Sequence, residues 1–385
     1  MRVTRLTLRD FRSYATADVR LGPGLTVVSG FNGAGKTNLL EALYFACTGR
    51  ACRTANEREL VRFGAAVTRL ELTAQDEHAT HTLTVGFQPG EAKRMTVDGA
   101  TVERLTDSPT RPLVSVFLPD RLELITGAPA LRRAHLDQVV AALWPARAQT
   151  RRAYSAALAQ RNALLVSIRA GNASRASLPA WNAELARHGI VLMAQRREAV
   201  ERLKPSFVEH AANLGLEEDP KVSYRARSRA TTVVGLADEL GDRVSSDLER
   251  GFTGHGPHRD DLVLSRAGRD LRTYGSRGQQ RLGLLSLLLA ERAALADERG
   301  APPLLLLDDV MSELDVGRRE RLVAVLRARG QCVLTTTELA HVPGAEHPGI
   351  DQLVVADGSV RQAAPSDQGP ETGPASARVS GRSGG

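Results

Sequence analysis

The residues best suited to chemistry in this sequence run Gly30-Phe31-Asn32-Gly33-Ala34-Gly35-Lys36-Thr37. They meet the phosphate-loop pattern G-x-x-x-x-G-K-[ST] at every fixed position. Each residue type answers a physical need. Gly30, Gly33 and Gly35 allow a tight bend that turns backbone N–H groups onto phosphate oxygens, where a Cβ would block the approach. Lys36 brings a cation to the outer phosphates. The Thr37 hydroxyl can ligate a Mg²⁺ ion, which keeps several waters and takes few protein ligands. Far along the chain, Leu304-Leu305-Leu306-Leu307 ends in Asp308-Asp309. The carboxyl ends of buried strands are where ligands bind in open α/β sheets. Asp308 is placed to hold the Mg²⁺ water shell, and Asp309 to orient or deprotonate a water facing the terminal phosphate. An acidic pair in an ordinary strand-end turn would look the same in isolation; the phosphate loop separates the two readings.

A third stretch is Tyr274-Gly275-Ser276-Arg277-Gly278-Gln279-Gln280-Arg281. A serine, a glycine and free N–H groups at a helix N-terminus make an anion site, although Ser276 could equally just cap the helix.

Positioning these groups requires particular elements. Leu25 to Ser29 reads as a short buried strand. Asn38 to Cys47 reads as a helix, with Leu39, Leu40, Leu43, Ala46 and Cys47 at helical spacing. Strand, loop and helix together set phosphates against a helix N-terminus, which carries about half a positive charge. Leu304 to Leu307 is apolar throughout, as a central parallel strand is, and Val333 to Thr337 is the next strand along the chain. Leu282 to Ala290 is apolar nearly all round, so that helix is buried on most sides.

Residues 3–9 alternate in polarity and are expected to form a half-exposed edge strand, followed by a second short strand before the loop. Arg12, between them, reads as a solvated loop arginine. From Val67 to Val102 alternating runs broken by Asp76-Glu77, Pro89-Gly90 and Asp98-Gly99 predict an antiparallel meander. Leu113 to Phe117 is a further strand. From Ala130 to Leu216 the period becomes helical. One stripe holds Leu131, Leu136, Val139, Val140, Leu143 and Trp144. A second helix carries Tyr154, Leu158, Leu164 and Leu165, and a third carries Trp181, Leu185, Val191, Leu192, Val200 and Leu203. Gly171 to Ser174 and Leu178-Pro179 are expected to interrupt them. The helices are of moderate length and hold no long heptad register, so no long coiled coil is expected. Val222 to Ala226 follows as a strand and 233–250 as a helix. From Gln362 onward large apolar residues are almost absent, which predicts a disordered tail.

The chain has 385 residues, 42% hydrophobic and 25% charged, ordinary for a globular protein of about two domains. The net charge of +7 favours a polyanionic partner, while only 4% aromatic content argues against base stacking as a main binding mode. Three cysteines without metal-ligand spacing suggest free thiols in a reducing compartment. No apolar start and no run near the roughly 20 residues of a membrane span are present. A soluble, cytoplasmic protein is expected, with no membrane contact.

The order of phosphate loop, Ser276 segment and Asp-Asp strand resembles the ATP-binding-cassette head class, with Ser312-Glu313-Leu314-Asp315 similar to its D-loop. A narrower resemblance rests on Leu8-Arg9-Asp10-Phe11-Arg12-Ser13-Tyr14, Pro119-Asp120 with Gly127 and Arg132-Arg133, and Gly256-Pro257-His258-Arg259-Asp260-Asp261-Leu262, together with the three motifs above. Over about residues 1–360 the chain is similar to the RecF family of bacterial recombination mediators.

The resemblance implies an α/β fold. A P-loop head with a mixed sheet and a meander would occupy 1–125 and 251–361, a compact inserted helical arm 126–250, and the tail 362–385. It implies that Gly30 to Asn38 hold ATP and that Thr37 and Asp308 hold Mg²⁺. Lys36 and Asp309 would act in catalysis. Ser276, Gly278 and Gln279 would close on the nucleotide of a second subunit, with Ser312 and Asp315 in the D-loop. It implies a weak, DNA-stimulated ATPase that dimerises on ATP and works at single-strand gaps or duplex–single-strand junctions. RecR and possibly RecO would be partners, with RecA loaded downstream. His258 and Arg259 could meet nucleotide or DNA, or form a turn packing two lobes. Asp309 stands where many cassette members have Glu, and Thr335 to Thr337 stand where a histidine is often found; both point to slow turnover. A transporter ATPase subunit, or a scaffold that binds ATP without hydrolysing it, would share parts of this pattern.

Overall fold

The computed structural model describes residues 1–363 apart from Glu313 and Arg329, with the side chains of Pro119 and Asp120 also left aside. The expected tail therefore lies outside the described residues from 364 onward, as does Glu313 of the D-loop.

The chain opens with β1 (Arg2–Phe11), β2 (Tyr14–Arg20) and β3 (Leu25–Ser29), then the glycine loop and α1 (Lys36–Thr48). The meander follows as β4 (Thr68–Gln75), β5 (Thr80–Phe87), β6 (Arg94–Val97) and β7 (Ala100–Thr101), then β8 (Val114–Phe117). Next come α2 (Glu123–Thr126), α3 (Pro129–Leu143), α4 (Ala148–Arg169) and α5 (Leu178–Asn213), then β9 (Lys221–Arg225), α6 (Val233–Gly241) and α7 (Val244–Arg250). The last part holds β10 (Asp261–Arg266), β11 (Arg269–Asp270), α8 (Leu271–Tyr274), α9 (Arg277–Arg299), β12 (Leu304–Leu307), α10 (Val316–Ala328), β13 (Cys332–Thr336), β14 (Ile350–Ala356) and β15 (Ser359–Gln362).

Two six-stranded sheets frame the head. One is antiparallel in the order β2-β1-β4-β5-β6-β7; the other runs β15-β14-β3-β13-β12-β8, parallel except for β15. The central strand β12 is apolar and buried throughout because both faces of the sheet are covered there. Val28, Leu304, Leu306 and Val333 join the core shared with α1 and the antiparallel sheet. Their alternates Leu25, Val27, Leu305, Leu307 and Leu334 join the core that holds the leucines of α9. A smaller apolar cluster, with Tyr154, Leu185, Leu192, Met193, Leu236 and Leu240, forms a helical lobe built from α4, α6 and the first half of α5. The second half of α5, from Ala199 to Ala211, lies in the head core.

The meander and its Asp98-Gly99 turn, with φ of 51° and 81°, match the alternation. Five expectations change. First, β1 is not an edge strand: it pairs with both β2 and β4. Alternation reveals which face is buried but says nothing of neighbours. Second, Leu178-Pro179 starts a helix rather than interrupting one, since proline is tolerated at the first turn where no N–H is needed. The result is a helix of 36 residues, well beyond moderate length. Third, residues 233–250 form two helices, parted at Asp242-Arg243. Fourth, Leu131 and Val191 face solvent rather than core.

The fifth concerns Arg12. Its guanidinium donates to both carboxylate oxygens of Glu41 at 2.9 and 3.0 Å, and the Arg12 and Glu41 side chains are only 18% and 0% exposed. A charge as buried as Glu41 must be paired, so Arg12 is a structural tie from the β1–β2 turn to the centre of α1.

Candidate nucleotide site

The glycine loop leaves the carboxyl end of β3 and runs straight into α1, and neighbours press on it from both sides. A Cβ on Gly30 would come within 2.3 Å of the Val355 carbonyl oxygen. One on Gly35, whose φ is 115°, would meet Ser13 Oγ at 2.9 Å and Tyr14 Oη at 3.0 Å. Tyr14 Oη donates to the Gly35 carbonyl at 2.9 Å, and Asn38 Nδ2 donates to Ser13 Oγ at 2.9 Å. Lys36 Nζ curls back to donate to the carbonyls of Gly30 (2.7 Å) and Phe31 (3.0 Å). Burial lowers the Lys36 pKa, while Asp309 and Asp308 nearby oppose that shift. Phe31 itself is 88% exposed. Asn32, Gly33, Gly35, Lys36, Thr37, Asn38, Asp308 and Asp309 line one cavity, so the fold brings loop and acidic pair together.

The Thr37 hydroxyl lies 3.0 and 2.9 Å from the two carboxylate oxygens of Asp308. Thr335 Oγ1, on the neighbouring strand β13, donates to Asp308 Oδ1 at 2.7 Å and accepts the Asp309 N–H at 3.0 Å. Asp309 takes a left-handed φ of 47°, which aspartate tolerates better than most residues. Among the described residues its Oδ1, which is buried, has no hydrogen-bond partner. An orphaned carboxylate oxygen in a polar cavity is fit to accept a hydrogen bond from a water or ligand. Thr37 and Asp308 offer the hard oxygen donors that Mg²⁺ takes. The residues therefore fit both a triphosphate and that ion.

The Ser276 segment lies beside this cavity. Ser276 caps α9 in a capping box: its Oγ accepts the Gln279 N–H at 3.3 Å, and Gln279 Oε1 accepts the Ser276 N–H at 2.9 Å. Gly278, at the first turn of α9, lines a cleft with Asp308, Asp309 and Leu314 of the same chain. Ser312 Oγ donates to the Asp309 carbonyl at 3.0 Å, and Asp315 Oδ1 accepts the Arg318 N–H at 2.9 Å. Ser312 and Asp315 are thus bonded within the turn that leads into α10.

Gly256 to Leu262 is a structural knot. His258 is bonded through Nδ1 to Tyr154 Oη at 2.7 Å and through Nε2 to the Thr253 carbonyl at 2.8 Å. Burial, with Arg259 and Arg133 nearby, lowers its pKa to about 4. Both ring nitrogens are used, so His258 is not available to nucleotide or DNA. Arg132 forks onto Asp261 at 2.7 and 2.9 Å, and Arg196 onto Asp137 at 2.7 and 3.0 Å. Arg259 remains exposed.

Two site residues escaped the sequence reading. Arg53 lines the nucleotide cavity, yet Cys52-Arg53-Thr54 carries no motif that could announce it. Thr335 could be seen only as a threonine where a histidine was expected. Thr335→Val keeps the shape but strands the Asp309 N–H and removes one donor from Asp308, a loss of about 1–3 kcal/mol. Phosphate release is expected to fall about tenfold while Thr335→Ser stays near the parent rate. Equal rates for Val and parent would deny Thr335 any positioning role.

A phosphate loop, an Asp-Asp strand and a capped α9 gathered on one mixed sheet define the ATP-binding-cassette head fold, of the kind carried by SMC proteins. A Smc head bound to the C-terminal winged-helix domain of ScpA shares that fold, with a TM-score of 0.57 at 14% identity. Residues 2–348 match the family described as RecF/RecN/SMC N terminal domain, and the chain belongs to the RecF branch of it. The RecF protein of Anaeromyxobacter sp. (strain Fw109-5) is 38% identical, the match covering 94% of this chain and 99% of that one. RecF of Herpetosiphon aurantiacus is 36% identical, over 88% of this chain and 94% of that one. Among solved structures, one described as the recombination mediator protein RecF with ATPrS, in the RecFOR pathway, has a TM-score of 0.81 at 27% identity. It covers 94% of this chain and 98% of its own. No helix among the described residues is long and apolar enough to cross a membrane.

Proposed function

We propose that this chain is an ATP-gated clamp on DNA. It binds ATP, pairs with a second copy, holds DNA at single-strand gaps or duplex–single-strand junctions, and hydrolyses slowly. In the cytoplasm it helps load RecA during recombinational repair and replication restart, with RecR and possibly RecO as partners. The observation that carries the ATPase reading is the linked set Thr37, Asp308, Thr335 and Asp309 under the phosphate loop, ending in the orphaned Asp309 Oδ1. The DNA role is supported by relatives named DNA replication and repair protein RecF, and by the solved RecF described as a recombination mediator.

In this reading Lys36 exchanges the Gly30 and Phe31 carbonyls for phosphate oxygens. Thr37 and Asp308 hold Mg²⁺, which when bound neutralises charge building on the outer phosphates. Asp309 accepts a proton from water as that water attacks the γ-phosphorus and the bond to the leaving phosphate oxygen breaks. The short Asp309 side chain, held by its backbone, suits a timer better than a motor.

The second subunit supplies Ser276, Gly278 and Gln279. Because Ser276 Oγ accepts the Gln279 N–H, its own proton is free to be donated to a γ-phosphate oxygen. Gly278 contributes a first-turn N–H with no acceptor inside the helix, and Gln279 stiffens the turn. Ser276→Arg is expected to bind ATP yet sediment as a monomer with ATP present; ATP-driven pairing of that variant would contradict the cross-subunit role.

Steady-state phosphate release with added gapped duplex tests the whole reading. Lys36→Ala, expected to lose nucleotide binding, serves as the blank. A low rate that rises with DNA supports the clamp. A rate indifferent to DNA leaves the ATPase and removes the DNA role.

A further inference from the structure

Where the helical lobe meets the head, Arg227, Arg250, Phe252, Gly254 and Arg259 line an open cleft. All three arginines are exposed, and among the described residues no carboxylate lies within ion-pairing distance of them. Two acids of the neighbouring segments are already engaged. Asp247 is buried on Arg161 and on the Gly254 N–H, and Asp260 on Tyr224, Arg196 and the Arg227 N–H. Arg133 donates to the Asp260 carbonyl at 2.9 Å and adds a fourth positive charge nearby. Three converging cations without a counter-charge raise the local potential and concentrate anions.

The second observation is Phe252. It is 41% exposed, with the Arg259 guanidinium 5.3 Å from the ring centre. Its backbone is pinned before it by the Gly251 N–H, which donates to the Asp247 carbonyl at 2.8 Å, and after it by two further bonds. The Thr253 N–H donates to Asn162 Oδ1 at 2.8 Å, and the Gly254 N–H to Asp247 Oδ1 at 2.9 Å. A fixed aromatic ring beside guanidiniums is a stacking platform, since every base has a π-face and Arg adds a cation–π contribution. A duplex keeps its bases stacked inside and can offer this ring nothing. An unpaired strand can offer both a base and adjoining phosphates. The low aromatic content of the whole chain argues against stacking as a general mode, but one ring is enough for a local contact.

We infer that this cleft holds an unpaired nucleic-acid strand, phosphates on Arg227, Arg250 and Arg259 and a base on Phe252. The inference rests on the DNA reading above and deepens it, giving that reading a place where single-stranded and duplex segments are told apart.

The test is fluorescence anisotropy of the full chain with a labelled oligothymidylate and with a blunt duplex, at several salt concentrations. Phe252→Ala is expected to weaken the oligothymidylate about tenfold and leave the duplex unchanged. Phe252→Trp keeps a π-face and holds the affinity, whereas Phe252→Leu, which fills similar space, does not. Replacing Arg227, Arg250 and Arg259 together by Gln lowers the salt slope for the oligothymidylate by about 2. Thermal melting confirms that each variant is folded. If Phe252→Ala or Phe252→Leu binds the oligothymidylate like the parent, or weakens both ligands alike, the inference is overturned while the DNA reading stands. If the parent chain binds neither ligand, the DNA reading itself is lost.

Discussion

Replacing Asp309 by Asn is expected to leave ATP binding intact and to slow phosphate release by about a hundredfold or more, the range for losing a general base. The substitution isolates one property. Asn shares the shape of Asp and tolerates the left-handed φ of 47° at this position, so the Thr335 contact to the backbone N–H should survive. What is lost is a charged oxygen able to take a proton, and Asp309 Oδ1 is the oxygen with no partner among the described residues. Ala would confuse the result by adding strain at a positive φ. The measurement is multiple-turnover phosphate release, with sedimentation on DNA beside it. The variant should accumulate as an ATP-bound dimer. Release at the parent rate would remove Asp309 from the chemistry.

The second large effect lies away from the nucleotide. Arg161 is 0% exposed; it donates to Asn182 at 2.8 Å, Asp247 at 2.8 Å and Thr253 at 2.7 Å. Arg161→Ala leaves Asp247 charged, buried and missing its partner, which costs about 3–5 kcal/mol. Chemical denaturation should show the loss as a lower midpoint. Arg161→Met with Asp247→Leu removes both charges and should recover part of it. Recovery should be incomplete, because Asn182 and the Gly254 N–H then lack partners. A single variant as stable as the parent would show that water reaches this site and that the pair is not truly buried.

The sequence revealed what is local and hid what is distant. The glycine loop, the Asp-Asp strand and the meander repeat short patterns whose physics acts within a few residues. Arg12 and Arg161 look like any solvated arginine until the chain brings Glu41 and Asp247 to them across separations of 29 and 86 residues. Arg53 reaches the nucleotide cavity through a loop without regular structure at that residue. Thr335 gains its importance from strand pairing: β13 lies beside β12 in parallel register, which sets Leu334 opposite Leu307 and brings the next residue to the acidic pair. Leu178-Pro179 misled because proline both ends helices and begins them, and only the surroundings decide which.

The 36-residue span of α5 has a mechanical meaning. At about 1.5 Å of rise per residue the helix is about 54 Å long. One half is embedded in the lobe and the other in the head. It carries a single interior proline, Pro205, and that sits within the head half. No joint lies where lobe and head meet, so the two should turn together as one stiff spar. A head that rotates by only about 5° as it engages another molecule would sweep the far end of such a spar through about 5 Å. Strain from the nucleotide end would then arrive at the lobe as displacement, not be absorbed along the way.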